Sequence, residues 1–303
     1  IYEIIDGLTF RVNAGAEVNA GSSDRYIPIG LSAGGKLDGD ASKSKSNYYT
    51  IINENILTYD KRFNKNHALN LMGGVTFQTY QYNDLGGSGT GFLRDVYETN
   101  NLGVASTPGT PSSGYSDYRM ASFLGRANYS LMNKYLFTAS FRRDGSSKFA
   151  PGNKWSNFAS GAIAWRASEE EFIKRLNIFS NLKVRASYGQ TGNQAIGAYA
   201  TRDYLTVANY PINGALASGF ANLTWRGPAN PDLKWETTYT ANIALDFELF
   251  NKRIGGTVEL YNMDTRDLLV ERSIPVMTGY SSIWTNLGEV NNKGIELTLN
   301  TVN

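Results

Sequence analysis

Cysteine is absent from the 303 residues, and histidine occurs once. Without cysteine the chain has no disulfide bonds and no thiolate metal sites. The single histidine, His67, lies at the start of a predicted strand beside a short turn, so we interpret it as a polar turn residue and not as a base or a metal ligand. No apolar run approaches the roughly 18 residues that a membrane-spanning helix needs.

The chain also lacks an excess of charge of one sign, because its 29 Lys and Arg residues are nearly balanced by 27 Asp and Glu residues. With a net charge of +2 and no basic run interleaved with aromatics, we expect no nucleic-acid partner. The glycine-rich stretch 86–91 is interpreted as a flexible loop, because it lacks the Lys-Ser/Thr ending of a phosphate cradle. Asp264, Asp267 and Glu271 lack the order of a calcium loop, so we predict no metal and no cofactor.

Alternation of apolar and polar side chains is the main pattern that is present. Trp155 and Trp165 are ten residues apart on one face of such a segment, as are Tyr239 and Leu249. At about 3.3 Å per residue and a tilt near 40°, ten residues cover about 25 Å, the height of the lipid-facing band of an outer-membrane barrel. The alternating segments lie near residues 8–19, 47–60, 67–82, 117–130, 134–143, 154–167, 182–189, 236–249, 253–263 and 293–302.

The connections between these segments are sorted by length. Short connections are 61–66, 131–133 and 250–252, with an intermediate one at 168–181. Long connections, rich in Gly, Ser, Asn and Pro, lie near 20–46, 83–116, 190–235 and 264–292, with a shorter one at 144–153. Short periplasmic turns and long extracellular loops are typical of outer-membrane proteins. We therefore predict an all-β fold, an antiparallel transmembrane β-barrel of which this chain is a partial wall of about ten strands.

One connection carries a helix signal. Ser168-Glu169-Glu170-Glu171 has the form of a capping box, and Phe172 with Leu176 gives an apolar pair four residues apart. We predict a short helix on the short-turn side, with the carboxylates at its entry and not in acid–base catalysis.

Candidate site residues come from the polar faces and the long loops. The side chains predicted to line a wet lumen are Arg142, Arg185, Asn242, Asp246 and Glu248. The aromatic residues on long loops, where function concentrates, are the candidate ligand contacts: Tyr210, Trp225 and Trp284. Trp235, at a strand start, is interpreted as an interfacial anchor and not as a platform for a sugar. No catalytic residue is predicted.

Several short sequence motifs indicate a family. In order they are NKYLF (133–137), RRDGSSKF (142–149), NKW (153–155), LKVRASYGQTGNQ (182–194), NPDLKWE (230–236) and NLGEVNNKGIE (286–296). Together they resemble the SusC/RagA-like branch of TonB-dependent outer-membrane transporters, over most of residues 117–303. The resemblance implies an amino-terminal plug, a TonB-contacting segment, a barrel of about 22 strands and a SusD-like lipoprotein lid.

The resemblance also sets what we expect of this chain. Residues 1–303 would form part of one TonB-dependent-receptor-like barrel domain, with the plug, the TonB box and the last strands missing. The chain opens without Met or a signal peptide and stops almost inside an alternating segment, which favours an interior piece of a longer protein.

The function implied is the barrel portion of a TonB-coupled importer of bulky nutrients, oligosaccharides or peptides, without a catalysed reaction. The partners implied are the SusD-like lid, TonB–ExbB–ExbD through the missing amino-terminal region, outer-membrane lipid and the glycan or peptide cargo. The location implied is the outer membrane of a Bacteroidetes-like Gram-negative bacterium.

Two other classes of protein stay open at this point. A small-barrel outer-membrane hydrolase would need catalytic groups at the long-loop rim, and hydrolysis of peptides or esters by the purified chain would identify it. A secreted, soluble carbohydrate-binding β-protein would bury the apolar faces in a dry core, and solubility without detergent would favour it.

Overall fold

The computed structural model describes residues 1–31, 38–203, 205–212, 215–222 and 227–302. These residues form mostly strands, and no helix among them is both long and apolar enough to cross a membrane. The strands are β1 Tyr2–Ile5, β2 Leu8–Ile27, β3 Asp40–Arg62, β4 His67–Thr90, β5 Thr107–Pro108, β6 Ser112–Leu131, β7 Tyr135–Ser146, β8 Trp155–Arg166, β9 Phe179–Asn193, β10 Leu205–Ile212, β11 Ala215–Asn222, β12 Glu236–Leu249, β13 Ile254–Arg266, β14 Leu269–Ser273, β15 Ser282–Asn286 and β16 Glu289–Thr301.

The helical elements are short. The single α-helix of the described residues, α1, spans Glu171–Lys174, and single 3₁₀ turns cover Asp95–Tyr97, Leu102–Val104, Ala167–Glu169 and Val276–Thr278.

One sheet takes up most of the strands, in the order β1-β2-β3-β4-β6-β7-β8-β9-β12-β13-β16, with β5 beside β4. The order follows the chain, as expected for antiparallel strands joined by consecutive hairpins. Each of the ten predicted segments coincides with a strand of this sheet, so the all-β prediction is confirmed. Two hairpins, β10–β11 and β14–β15, stand apart from the sheet.

Several strands are longer than their alternating segments. β2 continues to Ile27, β3 begins at Asp40 and β4 continues to Thr90, so the loops predicted at 20–46 and 83–116 are shorter than expected. Alternation marks only those parts of a strand that have one apolar and one polar face, so polar extensions give no signal.

The chain divides into two compact units. The larger comprises residues 1–12, 54–77 and 120–303, and the smaller comprises 13–53 and 78–119. The smaller unit has a buried cluster of Ala41, Phe92 and Ala105.

Strand register in the larger unit separates apolar and polar side chains into rows. Ile243 of β12 lies opposite Ala186 and Leu260, and Leu260 lies opposite Ile295. One residue along, Ala244 lies opposite Arg185 and Glu259. Because successive side chains of a strand point to opposite faces, these rows belong to two faces, an apolar face and a polar face.

No other part of the described chain covers the apolar face. Ile243 is 58 % exposed and Ile295 is 72 % exposed. Trp155 lies opposite Gly145 near the long-loop end of β8, and Trp165 lies opposite Tyr135 near the short-turn end. The face therefore has aromatic residues at both ends and aliphatic residues between them, as in a lipid-facing band.

A buried cluster lies at the long-loop end of the larger unit. It consists of Phe149, Phe158, Ile196, Leu233 and Trp235, with Met120, Ala200, Leu269 and Trp284 packed against it. The rings of Trp235 and Phe149 are 5.3 Å apart between centroids, and those of Trp235 and Phe158 are 5.8 Å apart. The Nε1–H of Trp235 donates to the carbonyl of Lys154 at 3.0 Å.

These contacts correct one prediction. Trp235 is 5 % exposed, so it is a buried core residue and not an interfacial anchor. Its indole satisfies the polar N–H inside the protein, which removes the reason for an indole to stay at a wet interface.

The predicted helix exists, but its capping box is wrong. α1 begins only at Glu171, after the 3₁₀ turn Ala167–Glu169, and neither element has a side-chain cap. The carboxylate of Glu170 is already occupied, because it accepts hydrogen bonds from Lys134 Nζ at 2.8 Å, from the Tyr135 hydroxyl at 2.8 Å and from Trp165 Nε1 at 3.3 Å. The Glu170 carboxylate, which the sequence pattern assigns to the helix entry, therefore binds Lys134 and side chains of β7 and β8 instead.

Candidate functional site

A recess of about 730 Å³ opens on the polar face of the larger unit, at its long-loop end. Strands β7, β8, β9 and β12 supply its serine and threonine side chains: Thr138, Ser140, Ser160, Ser187, Thr191 and Thr240. Met120, Phe158 and Trp235 form its apolar end, next to the buried cluster. The recess thus combines hydrogen-bonding side chains with an apolar wall, as sites for organic ligands do.

Glycine in β9 allows this packing. A Cβ atom at Gly192 would lie 2.0 Å from Cζ of the Phe158 ring, so any side chain there would displace the ring. Phe158 is 6 % exposed and lies against Trp235. The absence of a side chain at Gly192 therefore lets the Phe158 ring pack directly against the backbone of β9, at the apolar end of the recess.

Arg142 lines the recess, but its charge is already paired. Its Nε donates to Oδ1 and Oδ2 of Asp144 at 2.6 and 2.8 Å, and its Nη2 donates to the Ser122 hydroxyl at 2.9 Å. Asp144 and Ser122 are both buried. The Nε–H is shared between the two carboxylate oxygens, so the guanidinium and the carboxylate form a close ion pair and offset each other's charge.

Gln194 is a lining residue that the sequence did not single out. Its side-chain amide donates to the sulfur of Met120, and its Oε1 is buried without a hydrogen-bond partner among the described residues. A buried acceptor without a donor costs about 1–3 kcal/mol, so a bound donor would stabilise this site. The sequence shows Gln194 only as the last residue of a family phrase, and its hydrogen-bond partner Met120 lies 74 positions earlier.

A second polar group lies farther along the same face. Arg185 Nη2 donates to Glu259 at 2.5 Å and Arg185 Nε donates to Asp246 at 3.3 Å, while Asn242 also donates to Glu259. Ala244, 2 % exposed, lies under the bridge between Arg185 and Glu259. The small side chain at this position lets the guanidinium reach across β12 to β13.

The structure thus brings together three of the five predicted lumen residues, Arg185, Asn242 and Asp246. Glu248 lies in an adjoining hollow of about 390 Å³ near the short-turn end, which Asp246 and Lys183 also line. Glu259 completes the group and was missed, although it falls in an alternating segment. That these residues line a wet lumen stays a prediction.

Of the three aromatic residues predicted on long loops, only Trp284 has its side chain in the described part of the chain. Trp284 lies in β15 opposite Glu271, is half-buried against the cluster that contains Trp235, and its carbonyl accepts a hydrogen bond from Asn230 Nδ2 at 2.7 Å. Tyr210 lies in β10 opposite Ala217, and its side chain is outside the described part of the chain. Trp225 lies outside the described residues altogether. Contact of the three residues with ligand stays a prediction.

The short-turn end has its own polar contacts. The hydrogen bonds from Lys134 and Tyr135 hold the pKa of the Glu170 carboxyl below its usual value, and the bond to Glu170 raises the pKa of Lys134. Nearby, His67 Nδ1 is 2.6 Å from the Tyr129 hydroxyl. These contacts fasten turns and strand ends to one another. Within the described ranges, no three acidic or histidine side chains converge as they would around a metal ion.

Comparison with known proteins places this geometry in a family. A family model described as TonB dependent receptor-like, beta-barrel matches residues 2–302. The chain is 36 % identical to TonB-dependent receptor P3 of Formosa agariphila, over all of this chain and 30 % of that protein. It is 40 % identical to TonB-dependent receptor SusC of Bacteroides thetaiotaomicron, over 60 % of this chain and 18 % of that protein.

A solved structure agrees with these relatives. The RagAB peptide transporter superposes with a TM-score of 0.88 at 26 % identity, over 98 % of this chain and 32 % of that chain. The chain therefore spans about a third or less of the length of these proteins. The likeness in both sequence and fold confirms the SusC/RagA resemblance of the local phrases: this chain belongs to the family of TonB-dependent receptor-like β-barrels.

Proposed function

We propose that this chain forms part of the barrel wall of an outer-membrane importer that takes up bulky nutrients, oligosaccharides or peptides, in a Gram-negative, Bacteroidetes-like bacterium. Uptake would be non-covalent and TonB-coupled, with TonB–ExbB–ExbD acting through the amino-terminal region and a SusD-like lipoprotein as the lid. The relatives are TonB-dependent receptors, and one solved neighbour is a peptide transporter.

The observation that carries the proposal is the two-faced sheet of the larger unit. Its apolar face leaves aliphatic side chains such as Ile243 and Ile295 open, where a soluble β-protein would cover them with a second layer. Its polar face has paired charges, hydroxyl groups and a recess. A wall with lipid on one side and water on the other requires this division.

The recess suits cargo that binds and then leaves. Its hydroxyl groups can donate to and accept from sugar hydroxyls or peptide amides, and each such hydrogen bond contributes only about 0.5–1.5 kcal/mol net. The pairing of Arg142 with Asp144 removes the strong attraction that an isolated guanidinium would have for an anion. Several weak contacts in place of one strong contact favour passage over retention.

Substitution of Gln194 by Leu tests this role of the recess in cells that produce the full-length protein. The change keeps the side-chain volume and removes the unpartnered Oε1. We expect two- to tenfold lower uptake of limiting cargo, because one hydrogen bond of about 0.5–1.5 kcal/mol is lost. The measurement is uptake of labelled oligosaccharides and labelled peptides from separate panels, which also identifies the cargo class.

Asn292→Leu is the matched control, because it makes a similar amide-to-alkyl change on β16, outside the recess. Folded protein is quantified in every strain by its mobility on gels without boiling. Uptake by Gln194→Leu equal to that of the control would remove the recess from the cargo path. Equal uptake of every panel by cells with and without the gene would contradict import altogether. The same assay tests Trp225 and Trp284, whose substitution is predicted to lower uptake without altering assembly.

A further inference from the structure

Exposed apolar side chains lie at the short-turn end of the larger unit. Turns that face water normally have Gly, Asn, Asp or Ser instead. We call them the apolar turn rim: Phe63 (60 % exposed), Met132 (44 %), Phe172 (60 %), Leu176 (52 %) and Phe250 (56 %). They come from four separate connections: β3–β4, β6–β7, the segment with α1, and β12–β13. A feature that recurs in four independent turns needs a common cause.

Two of these residues adopt a backbone conformation that disfavours them. Met132 has φ of 52° and Phe250 has φ of 53°, and each is followed by Asn in the same left-handed region, Asn133 at 54° and Asn251 at 54°. Asn fits such hairpin turns, whereas a bulky L-residue there is unfavourable by about 1–2 kcal/mol. Both turns thus carry an apolar residue where Asn or Gly would be more stable. Strain of this kind points to a role outside the turn itself.

The Glu170 contacts show on which face the helical segment lies. Its carboxylate accepts from Tyr135 and Trp165, which are opposite each other in the apolar face. The segment leaving β8 is therefore bound to the apolar side of the sheet, and α1 starts next to Glu170. Phe172 and Leu176, both exposed, follow Glu170 in this segment.

The number of residues beyond each strand end sets how far the rim residues extend past the hydrocarbon core. Met132 and Phe250 each directly follow the last residue of a strand, Leu131 and Leu249. Consecutive Cα atoms are about 3.8 Å apart. The headgroup layer on each side of a bilayer is about 5–7 Å thick, from the difference between the full thickness and the hydrocarbon core. Where the hydrocarbon boundary lies at these last strand residues, the turn tips fall inside the headgroup layer.

Charge around the rim fits the same surroundings. Lys65, Arg175 and Lys252 are exposed beside the rim residues and form no ion pair within the described part of the chain. Cations next to apolar anchors are suited to phospholipid headgroups, where the stem lies against acyl chains and the charge meets phosphate.

We propose that the apolar turn rim is seated in the headgroup layer of the inner leaflet and that its contact with phospholipid fixes the height of the wall in the membrane. The inference rests on the membrane-spanning wall of the proposed function. It adds a lipid-contact surface below the aromatic residues of the apolar face.

The absence of cysteine from this chain makes a direct test simple. Single cysteines replace Phe172 and Phe250 in a full-length protein without other cysteines, and each is labelled with an environment-sensitive fluorophore. Vesicles of phosphatidylethanolamine and phosphatidylglycerol contain a nitroxide quencher either at the headgroup or deep in the acyl chain. We expect both rim labels to be quenched at least threefold more by the headgroup nitroxide than by the deep one.

Two reference positions separate failure of this inference from failure of the proposed function. A label at Ile243, in the middle of the apolar face, is expected to be quenched most by the deep nitroxide, and a label at Asp232, in the loop before β12, by neither. Rim labels that respond only to a water-soluble quencher, with Ile243 still deep, would overturn the inference and leave the wall intact. An aqueous Ile243 label would overturn the wall itself. Rim labels that are aqueous in vesicles but protected in cells would indicate a protein partner and also overturn the inference.

Discussion

Ile243→Lys is expected to remove most of the folded protein from the membrane, whereas Asn242→Lys is expected to leave assembly close to that of the unmodified protein. Ile243 lies in the middle of the apolar face, in the row with Ala186 and Leu260. A lysine at the bilayer midplane of a barrel strand costs about 2–4 kcal/mol. That cost shifts a folding equilibrium by roughly 30- to 1,000-fold.

The neighbouring position is a strict control, since it introduces the same side chain one residue away. Asn242 is on the polar face and donates to Glu259, so a lysine there would meet a carboxylate. The measurement is the fraction of full-length protein that keeps its folded mobility on gels without boiling. Equal loss in both variants would show that the two faces do not differ in their surroundings.

Trp235→Ala is expected to cost about 3–5 kcal/mol at the long-loop end, as is usual for the loss of a buried tryptophan. The indole is 5 % exposed, lies between Phe149 and Phe158, and donates to the Lys154 carbonyl. Its removal would free the hairpin between β7 and β8 together with the apolar end of the recess. Hydrogen exchange of the peptides covering 145–158 and 190–196 measures the effect.

The controls for this variant separate burial from tryptophan chemistry in general. Trp155→Ala removes a tryptophan that is 43 % exposed on the apolar face, so its effect on the same peptides is expected to be small. Trp235→Phe keeps most of the ring contact and loses the hydrogen bond, so an intermediate loss of protection is expected. Unchanged exchange in Trp235→Ala would contradict the packing described for this cluster.

The strands of the sheet were predictable because their physical cause is local. In β12, each apolar residue from Tyr239 to Leu249 alternates with a residue suited to water, and two-residue periodicity needs no knowledge of the rest of the fold. The hairpins β10–β11 and β14–β15 lie in loops rich in Gly, Ser and Asn and have no such alternation along their length. Their pairing depends on contacts across the loop, which the sequence does not display.

The candidate site was predictable only where it follows the same alternation. Arg185, Asn242 and Asp246 could be placed on one face from their positions alone, and they do form one group. Trp235 and Glu170 were misassigned, because their partners lie far away in sequence: Lys154 is 81 residues from Trp235, and Lys134 is 36 residues from Glu170. Local motifs suggest a cap or an anchor at such positions, and tertiary contacts decide otherwise.

The most direct test of the account is a scan of single cysteines along β12, from residue 239 to residue 248, in the full-length protein in its membrane. Each position is labelled with an environment-sensitive fluorophore and exposed to a lipid-soluble and a water-soluble quencher. We expect strict alternation, with odd-numbered positions quenched from lipid and even-numbered positions accessible from water or protected within the charged group around Arg185. Odd-numbered positions shielded from both quenchers would mean that protein covers the apolar face, and the membrane wall would be contradicted.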